Sequence, residues 1–233
     1  MIADTPTPTP DGSDGGSHVT GGGHLRLAWR EYDPSPLSPV LDAALMCFME
    51  QGYHGTSIRM IARRAGLSVP GIYHHFESKH DLLVELMSHA MAELWERSRA
   101  SVAEAGETVS QQFDRLVECL VLFHAHRREL AVIAMSEIRS LEGDARVRHI
   151  AARDRQQRLM DTIVDAGVAS HEFTAPYPRE ASRAIITMCT SMANWYHPDG
   201  PMTPADLAVK YGAVARMAVG MSGGRATFAL DIV

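Results

Sequence analysis

The sequence predicts an all-α protein of about nine helices, on two observations. Apolar residues recur every three to four positions from residue 37 almost to the C-terminus, with no alternating strand pattern. Gly, Pro or charged residues separate the periodic runs. Short runs come first and longer ones follow, so we predict an N-terminal three-helix domain and a larger C-terminal helical domain.

The first 36 residues do not show this periodicity. Pro, Thr, Gly, Ser and Asp dominate them. Apart from Met1, Ile2 and Val19, their large apolar residues are Leu25, Leu27, Trp29 and Tyr32. So little apolar surface does not offset the entropy of ordering, and residues 1–36 are predicted to be a disordered arm. Arg26 and Arg30 are compatible with a minor-groove contact, but a passive tail is the preferred interpretation.

The first predicted helix begins at Pro39 and continues through the letters VLDAALMCFMEQG. Its apolar stripe consists of Val40, Leu41, Ala44, Leu45, Phe48 and Met49. Gly52 is predicted to end the helix, because glycine adopts the left-handed conformation common at helix C-termini. This helix would be the floor on which the next two helices pack.

Residues 57–76 (SIRMIARRAGLSVPGIYHHF) are predicted to form two short helices joined by a tight turn. One apolar face of the first helix consists of Ile58, Ile61, Ala62 and Ala65. Thr56 is predicted to cap this helix and Gly66 to end it, while Ser68 would cap a second helix through Phe76. Two short helices around a glycine turn are a helix-turn-helix, the motif that inserts its second helix into the DNA major groove.

The charge of this motif is opposite in sign to that of the whole chain. From Thr56 to Phe76 there are three arginines, Arg59, Arg63 and Arg64, and no carboxylate, whereas the chain has a formal net charge of -6. Such a patch suits a phosphate backbone, because cations displace its counterions. On charge alone, an ordinary solvated helix face explains these arginines equally well.

The segment from Leu37 to about Met91 resembles the DNA-binding domain of the TetR family of bacterial transcriptional regulators. The family pattern has an aromatic after the first-helix glycine, then Gly-Thr-Ser, Ile-Ala, Ala-Gly, Ser, Tyr-x-His-Phe and Ser-Lys. The run YHGTSIRMIARRAGLSVPGIYHHFESK matches it almost position for position. The resemblance implies a helix-turn-helix domain at residues 37–84, a ligand-binding and dimerisation domain at 85–222 and a tail at 223–233.

The resemblance also implies which residues contact DNA. Phosphates would be contacted by Thr56, Tyr73, His74 and Lys79. Base edges in the major groove would face Ser68, Val69, Pro70 and Gly71. Phosphate contacts fix register and base-edge contacts specify sequence. The family often has a lysine or similar polar residue where Val69 stands, so apolar contact with a thymine methyl is the expected substitute.

Beyond this domain, a long helix is predicted to start at Lys79 and to connect the two domains. The run Leu116–Phe123 (LVECLVLF) is apolar nearly all round, which predicts a central helix enclosed on several sides. A later helix, Ala184–Tyr196, has the same character. Two apolar neighbours are expected for it, the protein's own core and a second subunit.

The last two helices of each subunit are predicted to pack against the same two helices of a second subunit, which gives a four-helix dimer contact. The family resemblance implies the same contact. The residues predicted for this contact are Ile185, Cys189, Tyr196, Leu207, Tyr211, Val214 and Ala218. A homodimer is required for function, because two recognition helices must lie about one DNA turn apart on a two-fold-related operator.

A regulatory ligand site is predicted in the methionine-rich second domain. Met side chains adapt to irregular ligands, although ordinary core packing is the more frequent role of any single Met. The predicted ligand residues are Phe123, Met135, Arg139, Met188, Met192 and Trp195. Eight arginines of this domain are expected to be mostly solvated surface, with one or two of them available to an anionic group of the ligand: Arg127, Arg128, Arg139, Arg146, Arg148, Arg153, Arg155 and Arg158.

The segment from Met192 onward resembles a TetR subgroup with a Trp-Tyr/Phe-x-Pro-x-Gly turn and a following Tyr-bearing helix. Members of that subgroup respond to acyl-CoA thioesters, so the resemblance implies an acyl-CoA or a large apolar acid as the inducer. His197 and Asp199 stand where an arginine and a glycine are common. This departure weakens the transfer of a phosphate contact to the turn.

Other classes of protein are disfavoured. His124 and His126 face different sides of a helix and are not a metal pair, so we predict no metal site and no cofactor. No nucleophile elbow, P-loop or dinucleotide fingerprint occurs, which argues against an enzyme. Cys47, Cys119 and Cys189 are predicted to be buried free thiols. Because no signal peptide or run of about 18 apolar residues is seen, the predicted location is the cytoplasm, at the nucleoid when bound to DNA.

The predicted function is a ligand-responsive, sequence-specific DNA-binding regulator. We expect a repressor that a small apolar or acyl-CoA-type inducer releases from a palindromic operator. The alternative is a helical small-molecule-binding protein or lyase without DNA binding. DNA binding with a steep salt dependence, reversed by a ligand, would distinguish the two.

Overall fold

A computed structural model of the chain describes Met1 and residues 28–34 and 37–221. Nine α-helices lie in these residues: α1 Pro39–Gly55, α2 Ile58–Ala65, α3 Val69–Tyr73, α4 Lys79–Glu104, α5 Val109–His126, α6 Arg128–Ser136, α7 Gly143–Ala169, α8 Pro178–Ser191 and α9 Pro204–Ala218. Short 3-10 turns follow α6 at Glu137–Ser140 and α8 at Met192–Asn194. No strand occurs in the described residues, so the predicted all-α architecture is confirmed.

Serine hydroxyls cap the N-termini of the first four helices. Ser38, Ser57, Ser68 and Ser78 each accept a hydrogen bond from a backbone N–H in the first turn of α1, α2, α3 and α4, respectively. Thr56, the predicted cap of α2, closes α1 instead, so that prediction is wrong by one residue.

Two glycines with positive φ turn the chain between these helices. Gly52 (φ 71°) interrupts α1 where the sequence predicts its end, and Gly66 (φ 69°) ends α2 before the turn into α3. α3 ends at Tyr73, earlier than predicted, because the chain turns at His74 and His75 towards the cap of α4.

The first core lies between α1, α2, α3, the start of α4 and one side of α6. Ile61, Ile72 and Leu82 are fully buried in it. Leu130 and Ile133 reach the same core from α6, which follows α5 in the chain. The N-terminal domain is therefore packed, through α1 and α4, directly against an element of the second domain.

The second core surrounds α5, as predicted for a central helix. Every residue from Leu116 to Ala125 is buried, and α4, α7, α8 and α9 pack around them. An ion pair within this layer joins α5 to α9, with the guanidinium Nε of Arg216 donating to Asp114 at 2.8 Å. Burial raises the pKa of the Asp114 carboxyl, although the Arg216 hydrogen bonds oppose that rise.

The predicted continuous helix Ala184–Tyr196 is wrong in its second half. α8 ends at Ser191, and the 3-10 turn at Met192–Asn194 changes the direction of the chain. The apolar residues of this segment are spaced as on one face of a helix, and this spacing predicted one continuous helix. A helix followed by a turn buries the same residues against the core, so the spacing does not distinguish a continuous helix from an interrupted one.

Residues 28–34, which we call the N-terminal strap, pack on the second domain, contrary to the predicted disordered arm. Trp29 is 1% exposed, and its indole N–H donates to Glu104 on α4 at 2.7 Å. Arg30 pairs with Glu104 at 2.6 Å and with Glu118 on α5 at 2.7 Å. The remaining part of the predicted arm, and the predicted tail, lie outside the described residues.

Two buried arginines hold the backbone of the strap. Arg97 on α4 donates to the carbonyl oxygens of Trp29 and Glu31, both at 2.9 Å. Arg127 donates to the carbonyl oxygen of Asp33 at 3.0 Å. The strap thus lies on α4 and α5 a few residues before α1 begins. Composition missed it because its partners come from distant parts of the chain.

The described residues also show the state of the cysteines, the grouping of potential metal ligands and the apolar length of each helix. Cys47, Cys119 and Cys189 are buried and form no disulfide, as predicted. Groups of three or more potential metal ligands do not occur in the described part of the chain. The same part contains no helix both long and apolar enough to cross a bilayer.

Candidate DNA interface and ligand cavity

The second helix of the motif, α3, presents a small and uncharged surface to solvent. Ser68 and Pro70 are exposed and Tyr73 is 51% exposed, whereas Ile72 is fully buried. Val69 is partly buried against the first core. The helix is therefore anchored through Ile72, and its N-terminal end, which includes the partly exposed Val69, and the Tyr73 ring remain available to a partner.

Gly71 and His74 complete this surface. The backbone N–H of Gly71 donates to the Ser68 hydroxyl at 3.1 Å, and a Cβ at position 71 would lie 3.2 Å from that oxygen. A side chain here would crowd the cap of α3. His74 is exposed, and its ring makes an edge contact with His75.

Two of the three arginines in the motif form no ion pair with another described residue. Arg64 forms an ion pair with Glu50 of α1 at 2.5 Å, and this hydrogen bond lowers the pKa of the Glu50 carboxyl. Arg59 and Arg63 are exposed and have no ion-pair partner among the described residues. The positive charge of the motif therefore comes from Arg59 and Arg63.

Thr56 and Lys79 lie behind the exposed surface of the motif. Thr56 is 3% exposed, and its hydroxyl lies 2.8 and 2.9 Å from the carbonyl oxygens of Gly52 and Cys47. Lys79 donates to the carbonyl oxygens of Tyr53 and Thr56, at 2.6 and 2.7 Å, and partial burial lowers its pKa. Lys79 retains one N–H for a phosphate. The Thr56 hydroxyl is engaged inside the fold, so we withdraw its predicted phosphate contact.

A cavity of about 360 Å³ lies between α4, α5, α6, α7 and α8. Its apolar wall includes Ala90, Met91, Leu94, Phe123, Ala131, Ala134, Met135, Ile150 and Ile186. Its polar wall includes His124, Arg153, Asp154, Gln156, Gln157, Thr187 and Thr190. A mostly apolar cavity of this size with a few polar groups is typical of a small-molecule site.

The structure brings only part of the predicted ligand set together. Phe123 and Met135 line the cavity. The other four residues, Arg139, Met188, Met192 and Trp195, are not among its lining residues. Met192 is fully buried in the second core and Arg139 is exposed in the 3-10 turn after α6. The prediction followed Met and Trp residues, which pack elsewhere.

Sequence reasoning missed most of the α7 wall. The predicted ligand residues do not include Asp154, Gln156 or Gln157, and Arg153 is one of eight arginines considered for an anionic group. The available signal was polar spacing within a long helix: Arg153, Gln156 and Gln157 lie at i, i+3 and i+4 and so share a face. A polar face on a helix indicates a cavity wall when that face is turned towards the interior of the domain. The sequence does not give the orientation of α7, so this face was not identified.

His124 on the polar wall is held as a neutral ring. Its Nδ1 lies 2.7 Å from the carbonyl oxygen of Leu120, and the side chain is buried. Burial lowers the pKa of His124 to about 4, although the Leu120 hydrogen bond opposes the shift. Because a carbonyl oxygen only accepts, Nδ1 carries the hydrogen and Nε2 keeps its lone pair.

The neutral state of His124 predicts a loss of stability in acid. Its folded-state pKa is below the unfolded value near 6.5, so the stabilisation is complete above pH 6.5 and is lost as the pH falls towards 4. We expect the free energy of unfolding to fall by about 2 kcal/mol between pH 7 and pH 5 from this group. Urea unfolding of wild type and His124→Leu at both pH values measures it. An equal pH dependence in both proteins would contradict the prediction.

Apolar residues are left exposed where α9 passes the end of α8. Val214 is 50% and Met217 80% exposed, and the Trp195 ring stacks on Tyr211 with 6.3 Å between centroids. We call Trp195, Tyr211, Val214, Met217 and Ala218 the α8–α9 face. A contiguous exposed apolar patch of this kind usually marks a protein contact.

Part of the predicted dimer set lies on the α8–α9 face. Tyr211, Val214 and Ala218 lie on it, at i, i+3 and i+7 of α9. The other four predicted residues, Ile185, Cys189, Tyr196 and Leu207, are buried within the protomer. Their side chains fill the second core, since the line of α8 with the largest apolar residues faces inward. Trp195, predicted for the ligand, belongs to the α8–α9 face instead.

Two family models match this chain. Residues 40–86 match the model described as bacterial regulatory proteins of the tetR family. Residues 106–219 match the model described as the tetracyclin repressor-like C-terminal domain. Together they cover more than half of the chain and coincide with the helix-turn-helix and with the helices around the cavity.

Similar proteins carry the same architecture. The HTH-type transcriptional repressor KstR2 of Mycobacterium tuberculosis is 29% identical over 180 residues, which is 75% of this chain and 88% of that protein. The TetR family regulator PfmR from Thermus thermophilus is 29% identical with a TM-score of 0.71, covering 76% of this chain and 97% of that one. AibR, solved with isovaleryl coenzyme A and operator DNA, has a TM-score of 0.69 at 20% identity, covering 78% and 97%. The chain belongs to the TetR family of bacterial regulatory proteins.

Proposed function

We propose that this protein is a homodimeric repressor that a small apolar or acyl-CoA-type inducer releases from a palindromic operator. The observation that carries the proposal is the α2–α3 surface: an exposed second helix without carboxylates, beside Arg59 and Arg63, which are exposed and form no ion pair within the described part of the chain. KstR2 is named a transcriptional repressor, and AibR was solved with both an acyl-CoA and operator DNA. The alternative, a ligand-binding protein or lyase without DNA binding, leaves the α2–α3 surface unexplained.

The contacts we propose to DNA follow the exposed residues of the motif. Ser68, Val69, Pro70 and Gly71 form the N-terminal end of α3 and would face base edges. Tyr73, His74 and the remaining N–H of Lys79 would contact phosphates. Since no charged side chain lies on α3, readout of bases would rest on shape and on apolar contact with thymine methyl groups.

Tyr73→Phe tests this assignment of contacts. Loss of the exposed hydroxyl should weaken DNA binding roughly five-fold on every sequence, because a phosphate contact carries no sequence information. Fluorescence anisotropy with the preferred DNA and with single-base variants measures it. Val69→Ala is the matched comparison and should alter the ranking of the variants. If Tyr73→Phe changed the ranking and Val69→Ala did not, the assignment would be reversed.

Two helices connect the cavity to the DNA interface. α4 supplies Lys79 at the motif and Leu94 at the cavity, about 22 Å apart along one helix. α6 buries Leu130 and Ile133 in the first core while Ala131 lines the cavity. A ligand that favours a different position of α6 would therefore move the helix-turn-helix. In a dimer this changes the spacing of the two α3 helices and hence the affinity for consecutive major grooves.

A combined stability and release experiment tests the proposal. Wild type is screened with acyl-CoAs and free acids, since a specific ligand raises the melting temperature by mass action. Each ligand found is then titrated into the complex with DNA selected from a random pool, and we expect dissociation. Ala131→Leu, which fills part of the cavity, should bind the same DNA but resist release. Equal release of wild type and Ala131→Leu would place the inducer outside the cavity.

Two further aspects follow from this proposal. The chain would not be an enzyme, because the similar proteins described above are transcriptional regulators. It would act in the cytoplasm, associated with the nucleoid while its operator is occupied. Chromatin immunoprecipitation with and without inducer measures that association directly.

A further inference from the structure

The polar wall of the cavity carries a hydrogen-bond acceptor, the Nε2 atom of His124, whose protonation state follows from the partner of the other ring nitrogen. His124 directs Nδ1–H at the Leu120 carbonyl oxygen on its own helix, so the other ring nitrogen is on the opposite side. Nε2 makes no hydrogen bond to any of the described residues, and the ring lines the cavity. The ring is neutral at pH 7, which leaves Nε2 as an acceptor.

A buried amide lies on the α7 side of the same cavity. Gln156 lines the cavity and is buried, and its amide Nε2 donates to the Ser98 hydroxyl at 2.8 Å. Its Oε1 has no hydrogen-bond partner among the described residues and is enclosed by its neighbours, so a ligand in the cavity does not contact this atom.

The apolar residues of the wall narrow the kind of ligand group that lies beside His124. Leu94, Phe123 and Ala131 offer no hydrogen bond. An unbranched alkyl chain beside His124 would displace solvent from Nε2 without replacing its hydrogen bond, which costs free energy. A ketone or thioester carbonyl beside His124 would place two acceptors together. A hydroxyl donates to Nε2 and keeps a lone pair for a second contact.

We propose that the ligand of this cavity is an apolar molecule with a hydroxyl group on the part that enters it, and that His124 determines this specificity. The inference rests on the proposed role of the cavity as the inducer site. It narrows the ligand class from acyl chains in general to hydroxylated acyl chains or ring systems. The other end of the ligand would lie at the rim, where Arg153 and Asp154 are exposed.

Three probe acids separate the hydroxyl from the chain that carries it. Isothermal titration of the full-length protein is carried out with decanoic acid, 10-hydroxydecanoic acid and 9-oxodecanoic acid. We expect 10-hydroxydecanoic acid to bind about ten-fold tighter than decanoic acid, and 9-oxodecanoic acid to bind no tighter than decanoic acid. Similar affinities for decanoic and 10-hydroxydecanoic acid would overturn the proposal while leaving the cavity as the inducer site.

Two variants assign the preference to a residue. His124→Leu should bind decanoic and 10-hydroxydecanoic acid with equal affinity, because the acceptor is gone. Met135→Leu, which changes an apolar side chain of the same cavity, should keep the preference. If His124→Leu does not fold, the affinity ratio in wild type still decides. Binding of none of the three acids to wild type would overturn this inference, whereas the screen with acyl-CoAs described above tests the proposed inducer class separately.

Discussion

Val214→Glu should convert the protein to a monomer and reduce its affinity for operator DNA by roughly 100-fold or more. Val214 is half exposed at the centre of the α8–α9 face, between Tyr211 and Ala218 on the same side of α9. Two copies of the face would bring two Val214 side chains close together, so the substitution buries two like charges. Analytical ultracentrifugation and fluorescence anisotropy measure the two effects on one preparation.

Val147→Glu is the matched control for this substitution. Val147 is an exposed valine on α7, outside the α8–α9 face. The control should remain dimeric and bind DNA as wild type does, which excludes a general effect of added negative charge. A Val214→Glu protein that stayed dimeric would show that the subunits meet through another surface. A monomer with undiminished DNA affinity would contradict the requirement for two recognition helices.

Trp29→Ala should lower the free energy of unfolding by about 3 kcal/mol, which is large for a residue before the first helix. The indole is fully buried between α4 and α5, and its N–H donates to Glu104. The substitution leaves a cavity and removes one of the hydrogen bonds to the Glu104 carboxylate. Urea unfolding monitored by circular dichroism measures the loss, and Tyr177→Ala, at an exposed aromatic, should change little.

Limited trypsin digestion distinguishes release of the strap from unfolding of the domain. Arg30 is held by Glu104 and Glu118, so the bond that follows it should resist cleavage in wild type. Trp29→Ala should be cut after Arg30 under conditions in which the rest of the chain stays intact. Equal resistance of both proteins, with equal stability, would mean that the strap does not depend on the buried indole.

The helix-turn-helix was predictable because its signals are local. Ser68, Gly66 and Ile72 specify a cap, a turn and a buried anchor within seven residues of one another. The start of α4 at Lys79 and the central position of α5 follow from the same kind of signal. The Thr56 role did not follow, because a threonine at a helix boundary caps the next helix or closes the previous one with equal ease.

The strap and the α8–α9 face depend on contacts that no local pattern contains. Trp29 is ordered by Glu104, 75 positions away, and the backbone of Asp33 by Arg127, 94 positions away. In α8, the largest apolar residues face the protomer's own core, and exposed Val214 on α9 faces outward. Apolar periodicity predicts that a helix face is buried, but it does not distinguish burial against the protomer's own core from burial against a second subunit.

The cavity shows the same limit for ligand residues. Met192 and Trp195 were reasonable candidates by side-chain type, yet the first fills the core and the second lies on the surface. His124, whose Nε2 is the proposed acceptor of the cavity, is informative only through the partner of its Nδ1. Whether one ring nitrogen accepts a hydrogen bond follows from the partner of the other, and the sequence does not give that partner.

Selection of DNA from a random pool by the full-length protein tests the central claim most directly. The account predicts an enriched inverted repeat, with half-site centres about one helical turn apart and two chains bound per repeat. Binding to this repeat should weaken steeply as salt is raised, because phosphate contacts release counterions. Absence of any enriched sequence, or enrichment of a single unrepeated site bound by one chain, would contradict the claim that paired recognition helices produce the function.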